Sequence, residues 1–182
     1  MDATAHPHSV DVQTLVPDSA GTWSLDPAAS AVEFHVKHFW GMITVRGHFE
    51  RIEGEGTVDE AGNSSGELRI DAGSLTTKNA KRDQHLRSAD FFDVEHYPTV
   101  VVTVRRLVPE GRGVLKGQVT LEAAGHSQDL APIVEVVSAT SDSMSLRAEL
   151  VVDRTAFGMT WSPLKMASSE VRAIVNARFV RS

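Results

Sequence analysis

Apolar and polar residues alternate along much of the chain from about residue 32 onwards. Residues 32–37 read VEFHVK, and this period of two is typical of a β-strand that buries one face. The alternation resumes over residues 43–49 after Gly41, and Gly47 within that run indicates a bend or a bulge. The two runs predict a β-hairpin made of long strands.

Similar patterns predict six further strands, separated by turn-forming clusters such as residues 109–111 and 124–126. They cover residues 66–71, 99–108, 114–122, 130–137, 144–153 and 171–180. Residues 79–94 break the alternation. Asn79 and Ser88 can each cap a helical turn there, while Leu86, Phe91 and Phe92 supply apolar contacts. We expect one or two short helices in this segment.

An antiparallel sheet of roughly eight strands either closes into a barrel or folds into a sandwich. Closure removes the exposed strand edges that promote aggregation. We therefore predict an all-β fold, a closed antiparallel β-barrel of about eight strands with a short helical insertion. A length of 182 residues and a hydrophobic content of 41% suit one such domain, predicted over residues 22–182.

Residues 1–21 differ in character from the rest of the chain, since they are polar and contain Pro7 and Pro17. They are predicted to form a flexible lead-in. They also lack the cationic start and apolar core of a secretory signal, which leads us to expect a cytoplasmic protein. No run approaches the ~20 apolar residues of a membrane-spanning helix, so stable membrane insertion is not expected.

The net charge and the residue types present exclude several classes of function. A formal net charge of -6 argues against binding to nucleic acid. The chain has 0 cysteines, which excludes disulfides and thiolate chemistry. Its 8 histidines raise the alternative of a metal site, with His35, His38 and His48 on neighbouring strands and His85 and His96 near the insertion. His35 and His38 are predicted to point to opposite faces of their strand, so we expect neither a metal nor another cofactor.

Three groups of residues resemble the signatures of the YceI family. The first comprises WSLDP at 23–27, Ser30, VEFHVKH at 32–38 and VRGHF at 45–49. The second and most specific comprises SLTT at 74–77, RDQHLRSADFFD at 82–93 and YPT at 97–99. The third is more dispersed and comprises GQVTL at 117–121, Gly125, Arg154, FGM at 157–159 and Trp161. Together they extend from Trp23 almost to the C terminus.

The resemblance implies a lipocalin-like barrel whose elongated apolar interior holds an isoprenoid chain, such as a quinone tail or a polyprenyl phosphate. On this basis the protein is expected to bind, and to carry or store, a lipid. Many members of the family are exported, and this chain departs from them in lacking a recognisable signal. The lining of an apolar tube discriminates chains only weakly, so the sequence does not identify the lipid.

Inward positions on the strands are the candidate lining of such a tube. They are Val32, Phe34, Val36, Val102, Val104, Val119, Leu121, Leu150 and Phe179. The same residues would equally fill a solid barrel core, and alternation alone does not distinguish the two.

Large apolar residues also fall at predicted turns, namely Phe39, Trp40, Met42, Met159 and Trp161. They could form the mouth of a pocket or simply cover the end of the barrel.

The helical insertion combines charge with the aromatic pair Phe91 and Phe92. In one interpretation Arg82 or His85 contacts a polar headgroup while the aromatic pair covers the chain beneath it. In the other, which we favour, Arg82 and Asp83 pair or cap locally and fix the insertion to the barrel.

An enzyme is the alternative from a different functional class. Asp83 with His85, or Asp90 with Asp93, could act as acid and base in a barrel isomerase or cyclase for a lipid. However, no nucleophile elbow, phosphate loop or dinucleotide fingerprint is present, and we predict a binding protein. A homodimer is possible, because two-fold dimers are the commonest soluble oligomers.

Overall fold

The computed structural model describes residues 19–39 and 41–182. Most of the predicted lead-in and Trp40 therefore lie outside the described residues. Twelve strands and one α-helix make up the described fold. The strands are β1 (Gly21–Leu25), β2 (Ala31–His38), β3 (Ile43–Phe49), β4 (Ile52–Val58), β5 (Ser64–Asp71), β6 (Leu75–Thr76), β7 (Thr99–Pro109), β8 (Val114–Ala123), β9 (His126–Leu130), β10 (Ile133–Ala139), β11 (Ser143–Asp153) and β12 (Ala167–Arg181). The helix α1 spans Ala80–Arg87.

Eight of the strands form a closed antiparallel ring in the order β1-β4-β5-β7-β8-β10-β11-β12. Pairing between β1 and β12 closes it, with Trp23 opposite Arg181. The ring leaves no free edge along its circumference, as a stable barrel requires. The predicted closed barrel of about eight strands with a helical insertion is confirmed.

Four strands outside the ring extend the wall at one end of it. The N-terminal part of β12 pairs with β2, which continues into β3 and then β6. On the opposite side, the C-terminal half of β8 pairs with β9. Because ring neighbours are antiparallel, the start of β12 and the end of β8 lie at the same end of the barrel. We call this the open end.

The far end of the barrel has a solid core. Leu107 of β7 and Leu115 of β8 are 5% and 3% exposed. They pack with Val119 and Val134 into a cluster of their own. The larger cluster, which includes Phe34, Phe49 and Phe157, occupies the rest of the interior towards the open end.

Several predicted element boundaries were wrong. The strand β4, of sequence IEGEGTV, escaped prediction because Gly54 and Gly56 interrupt its apolar pattern. Gly56 lies opposite Gly66 in β5, where a Cβ on Gly66 would come within 2.4 Å of the Glu55 carbonyl oxygen. The predicted strand 130–137 is divided into β9 and β10, because Pro132 cannot donate to a ladder.

The insertion contains one helix within residues 79–94. Asn79 caps its start, accepting a hydrogen bond from the Arg82 amide at 3.0 Å. Ser88 closes α1 at its C-terminal end, whereas it was predicted to be able to begin a further helical turn. Residues 88–97 continue as a series of turns, in which the Asp93 carbonyl accepts from Tyr97 at 2.8 Å.

Candidate functional site

A cavity of about 840 Å³ occupies the barrel interior near its open end. Its walls are inward side chains of seven strands, and its mouth lies among the β2–β3 turn, the α1 insertion and the loop after β11. Most of the lining residues are aliphatic or aromatic. This volume falls within the range of about 300–1,000 Å³ typical of ligand pockets.

Most of the residues predicted to line a tube do line this cavity. On the strands they are Val32, Phe34, Val36, Val102, Leu121 and Leu150. From the insertion and the loop after β11 they are Phe91, Phe92, Met159 and Trp161. Their role in binding a lipid stays a prediction.

Three predicted residues are not part of the cavity lining. Val104 and Val119 belong to the solid cluster at the far end of the barrel. Phe179 lies near the end of β12, opposite Leu25 of β1, and packs against the main core. Alternation placed all three on the inner face, but it does not give their height along the barrel axis.

Aromatic rings contact one another in two groups, one at the mouth of the cavity and one deeper in the interior. At the mouth, His85 packs edge-on against Trp161 and Phe91, with ring centroids 4.4 and 5.2 Å apart. Deeper inside, Phe92 contacts Phe49 at 5.8 Å, and Phe49 contacts Phe34 at 5.6 Å. These edge-to-face and tilted contacts are favoured aromatic geometries, and they give the cavity a defined wall.

Exposed apolar side chains surround the mouth. Met42 and Leu164 are 78% and 83% exposed, and Phe39 and Trp161 about two-fifths exposed. The two loops that carry them are joined, because the Phe39 amide donates to the Met166 carbonyl at 2.8 Å. The turn residues predicted to form either a mouth or a cover therefore lie at the mouth of the cavity, Trp40 excepted because it lies outside the described residues.

The helix α1 is attached to the barrel by polar side chains. The Asp83 carboxylate is 6% exposed and accepts from the amide and hydroxyl of Thr77 and the hydroxyl of Thr76. Arg82 donates to the Thr77 hydroxyl and carbonyl at 2.7 and 3.0 Å. Arg82 and Asp83 thus both form hydrogen bonds with Thr77. They fix the insertion to the barrel through this threonine and do not pair directly with each other.

The residues considered as acid and base pairs of an enzyme have other hydrogen-bond partners in the structure. Asp83 is engaged by the two threonines, and His85 instead contacts Asp90, with Nε2 and Oδ2 3.0 Å apart. Asp93 bonds to His96, which is exposed. Both Arg82 and His85, the candidate headgroup residues, line the cavity.

Arg154 and His38 are basic residues of the lining that the sequence did not predict to contact a lipid. Arg154, which is 6% exposed, follows β11 and lines the cavity. His38 also lines it, and its pKa is lowered, first by burial and then by the nearby charges of Arg154 and Arg82. Extending the inward series Val32, Phe34 and Val36 by one more step would have found His38.

Within residues 19–39 and 41–182, no three histidine or acidic side chains are grouped as a metal site would need. No helix in the same described ranges is long and apolar enough to span a membrane.

Comparisons with known proteins agree on the family to which this chain is similar. The model of the YceI-like domain matches residues 23–179. A UPF0312 protein of Vibrio cholerae is 34% identical over 119 residues, which are 63% of this chain and 61% of the relative. A UPF0312 protein of Pectobacterium carotovorum is 28% identical over 158 residues, or 82% of this chain and 80% of the relative. The chain thus spans about three-fifths of the length of the Vibrio cholerae relative.

Solved structures share the barrel. BcnA of Burkholderia cenocepacia superposes with a TM-score of 0.77 at 19% identity, covering 85% of this chain and 98% of that one. A polyisoprenoid-binding domain from Saccharophagus degradans gives a TM-score of 0.72 at 16% identity, covering 88% and 98%. At these identities the likeness establishes the fold. Since the family match extends over almost the whole barrel, this chain belongs to the YceI-like domain family.

Proposed function

We propose that this protein binds a long apolar lipid of the polyisoprenoid type inside its barrel, and carries or stores it. The observation that supports this most directly is the apolar cavity of about 840 Å³ at the open end. An isoprenoid chain has little to offer a protein except apolar surface, whose removal from water is worth roughly 25 cal/mol per Å² before ordering costs. An apolar tube with one mouth matches that requirement.

The choice of a polyisoprenoid draws on the family. The Saccharophagus degradans domain that shares this barrel is described as polyisoprenoid-binding. The two groups of aromatic rings, one at the mouth and one around Phe34, would give a branched, unsaturated chain apolar surface to lie against. A cytoplasmic location and a homodimer stay predictions.

The test compares lipid content in the wild-type protein and in Phe34→Arg. Phe34 is 9% exposed and lines the cavity, so the guanidinium would lie in the path of the chain. Expelling the lipid or desolvating the charge costs several kcal/mol. Native mass spectrometry, with organic extraction of whatever copurifies, should find an isoprenoid on the wild-type protein and none on Phe34→Arg.

Val151→Arg is the matched control, because it adds the same side chain on β11 at a residue that is 63% exposed. It should keep the lipid. Thermal unfolding checks the fold, and Phe34→Arg should melt close to the delipidated wild type because a long side chain can extend through a cavity towards water. A wild-type protein that copurifies with no lipid and binds no added isoprenoid would contradict the proposal.

A further inference from the structure

The cavity contains a buried cation that has no carboxylate partner. The Arg154 guanidinium, in a side chain only 6% exposed, donates from Nε to the Ser168 carbonyl at 2.9 Å. Its Nη1 donates to the carbonyls of Met159 and Trp161. Within the described part of the chain, no carboxylate oxygen comes within 4.0 Å of it. The neighbouring Asp153 is instead engaged by the amide and hydroxyl of Thr155.

The Phe91 ring centroid lies 5.9 Å from the guanidinium carbon, and the three carbonyl contacts use only Nε and Nη1. The structure gives Nη2 no hydrogen-bond partner among residues 19–39 and 41–182, and Arg154 is one of the cavity-lining residues. An arginine has five N–H donors in a planar fork, and burying its charge without a counter-charge is strongly unfavourable. The arrangement therefore favours a ligand that brings negative charge to the cavity.

Other basic groups converge on the same place. Arg82 and His38 both line the cavity, and the charges of Arg154 and Arg82 both act on His38. The Arg82 guanidinium donates to the hydroxyl and carbonyl of Thr77, and no carboxylate of the described residues pairs with it. Lys81 lines the mouth as well.

The acidic side chains near the mouth of the cavity contact other side chains. Glu33, which also lines the cavity, lies 3.5 Å from His35, and Asp90 pairs with His85. Asp83 is bonded to Thr76 and Thr77. The lining itself thus carries the cations Lys81, Arg82 and Arg154 against the single carboxylate of Glu33.

We propose that the cavity selects lipids with an anionic headgroup, and that Arg154 and Arg82 bind the headgroup oxygens while the chain lies along the wall formed by Phe34. This inference rests on the proposed lipid binding. It separates the two lipids that the family resemblance leaves open, because a polyprenyl phosphate carries an anion whereas a quinone is neutral. Guanidinium groups bind phosphate oxygens through strong, charge-assisted hydrogen bonds.

The test uses two lipids with the same chain and different heads, geranylgeranyl monophosphate and geranylgeraniol. Delipidated full-length protein is titrated with each by calorimetry. The phosphate should bind more tightly than the alcohol by about tenfold or more, as expected for charge-assisted contacts. Inorganic phosphate should bind far more weakly than the phosphorylated lipid, because it gains nothing from the apolar wall.

Two variants test which residues produce the preference for the phosphorylated lipid over the alcohol. Arg154→Gln and Arg82→Gln should each reduce affinity for the monophosphate and leave affinity for the alcohol nearly unchanged. Arg154 also holds the loop after β11, so Arg82→Gln tests the proposal even where Arg154→Gln does not fold. Arg172→Gln is the control, because Arg172 is exposed and pairs with Glu149 at 2.6 Å. It should preserve the preference.

The outcomes are distinct. Equal binding of both lipids by the wild type, or a preference that survives Arg82→Gln and a folded Arg154→Gln, overturns the headgroup assignment while leaving lipid binding intact. Inorganic phosphate binding as tightly as the lipid phosphate would make this a site for free anions and overturns it as well. Failure of either lipid to bind would overturn both the proposed function and this inference.

Discussion

At the scale of single residues, the position of one aromatic ring in the cavity wall depends on a glycine in the neighbouring strand. Phe34 of β2 lies opposite Gly47 of β3, and its ring covers the glycine. A Cβ placed on Gly47 would come within 2.3 Å of the ring's Cζ atom. In the sequence, Gly47 indicated a bend or a bulge. In the structure its missing side chain leaves space for the Phe34 ring.

Gly47→Ala should therefore disturb the cavity. The added methyl group has no space unless the Phe34 ring moves, and overpacking of this kind costs about 1–3 kcal/mol. We expect a lower free energy of unfolding in urea, together with less copurified lipid. In Gly73→Ala, the control, the nearest atom to the new Cβ would be Asp71 Oδ1 at 3.1 Å. Wild-type stability and lipid content in Gly47→Ala would show that the ring has room to move.

At the scale of elements, α1 is held by polar contacts more than by apolar packing. Its sequence AKRDQHLR contains Leu86 as its one large aliphatic residue. Asp83 fixes it to Thr76 and Thr77, and Arg87 donates from Nε to the Gly73 carbonyl at 2.8 Å. Burial alone, the largest single influence, would raise the pKa of Asp83. The hydrogen bonds from Thr77 and Thr76, with the charge of Arg87, outweigh it and lower that pKa.

A lowered pKa makes the contribution of Asp83 dependent on pH. The folded state favours the carboxylate, so its stabilisation is complete above the unfolded pKa of about 3.9 and is lost as pH falls through the lower folded value. We expect Asp83→Asn to destabilise the protein at pH 7 by about 1–3 kcal/mol, because buried donors lose their acceptor. The difference from wild type should shrink below about pH 4.

Urea unfolding of both proteins between pH 3 and pH 7 measures this difference. Asp142→Asn is the control, since Asp142 is exposed in the turn before β11, and it should change stability little at any of these pH values. A constant difference between wild type and Asp83→Asn across the range would contradict the assignment of the ionised carboxylate.

At the scale of the whole molecule, the barrel is solid at one end and hollow at the other. The cluster around Leu107 and Leu115 fills the far end, while the lining at the open end faces a cavity of about 840 Å³. Apolar walls without partner atoms forgo dispersion contacts that a ligand would restore. Ligand binding and folding stability should therefore be linked.

We expect the delipidated protein to melt at a lower temperature than the protein as purified. Added geranylgeranyl monophosphate should raise the melting temperature progressively, because a ligand present at 100 times its Kd stabilises the folded state by about 2.7 kcal/mol. Differential scanning calorimetry over a series of lipid concentrations measures the rise. Phe34→Arg should show no such dependence. A wild-type melting temperature that is independent of lipid concentration would argue against binding in the barrel.

Sequence alone predicted much of this molecule. Strict alternation identified the strands with apolar inner faces, and a capping residue, Asn79, marked the start of α1. These features are local, because each depends on the spacing of a few neighbouring residues. The strand β4 escaped because its glycines are explained only by the approach of Gly66 on the partner strand.

Tertiary structure decided where on the inner face each residue lies. Val102 and Val104 share one face of β7 and both pack against the solid cluster, yet Val102 lines the cavity and Val104 does not. Periodicity fixes the face of a strand, whereas height along the barrel depends on ring register and on the strands that extend one end. Arg154 illustrates the same limit, because its burial and its place in the cavity lining depend on the loop that follows it and on Ser168, whose carbonyl accepts from its Nε.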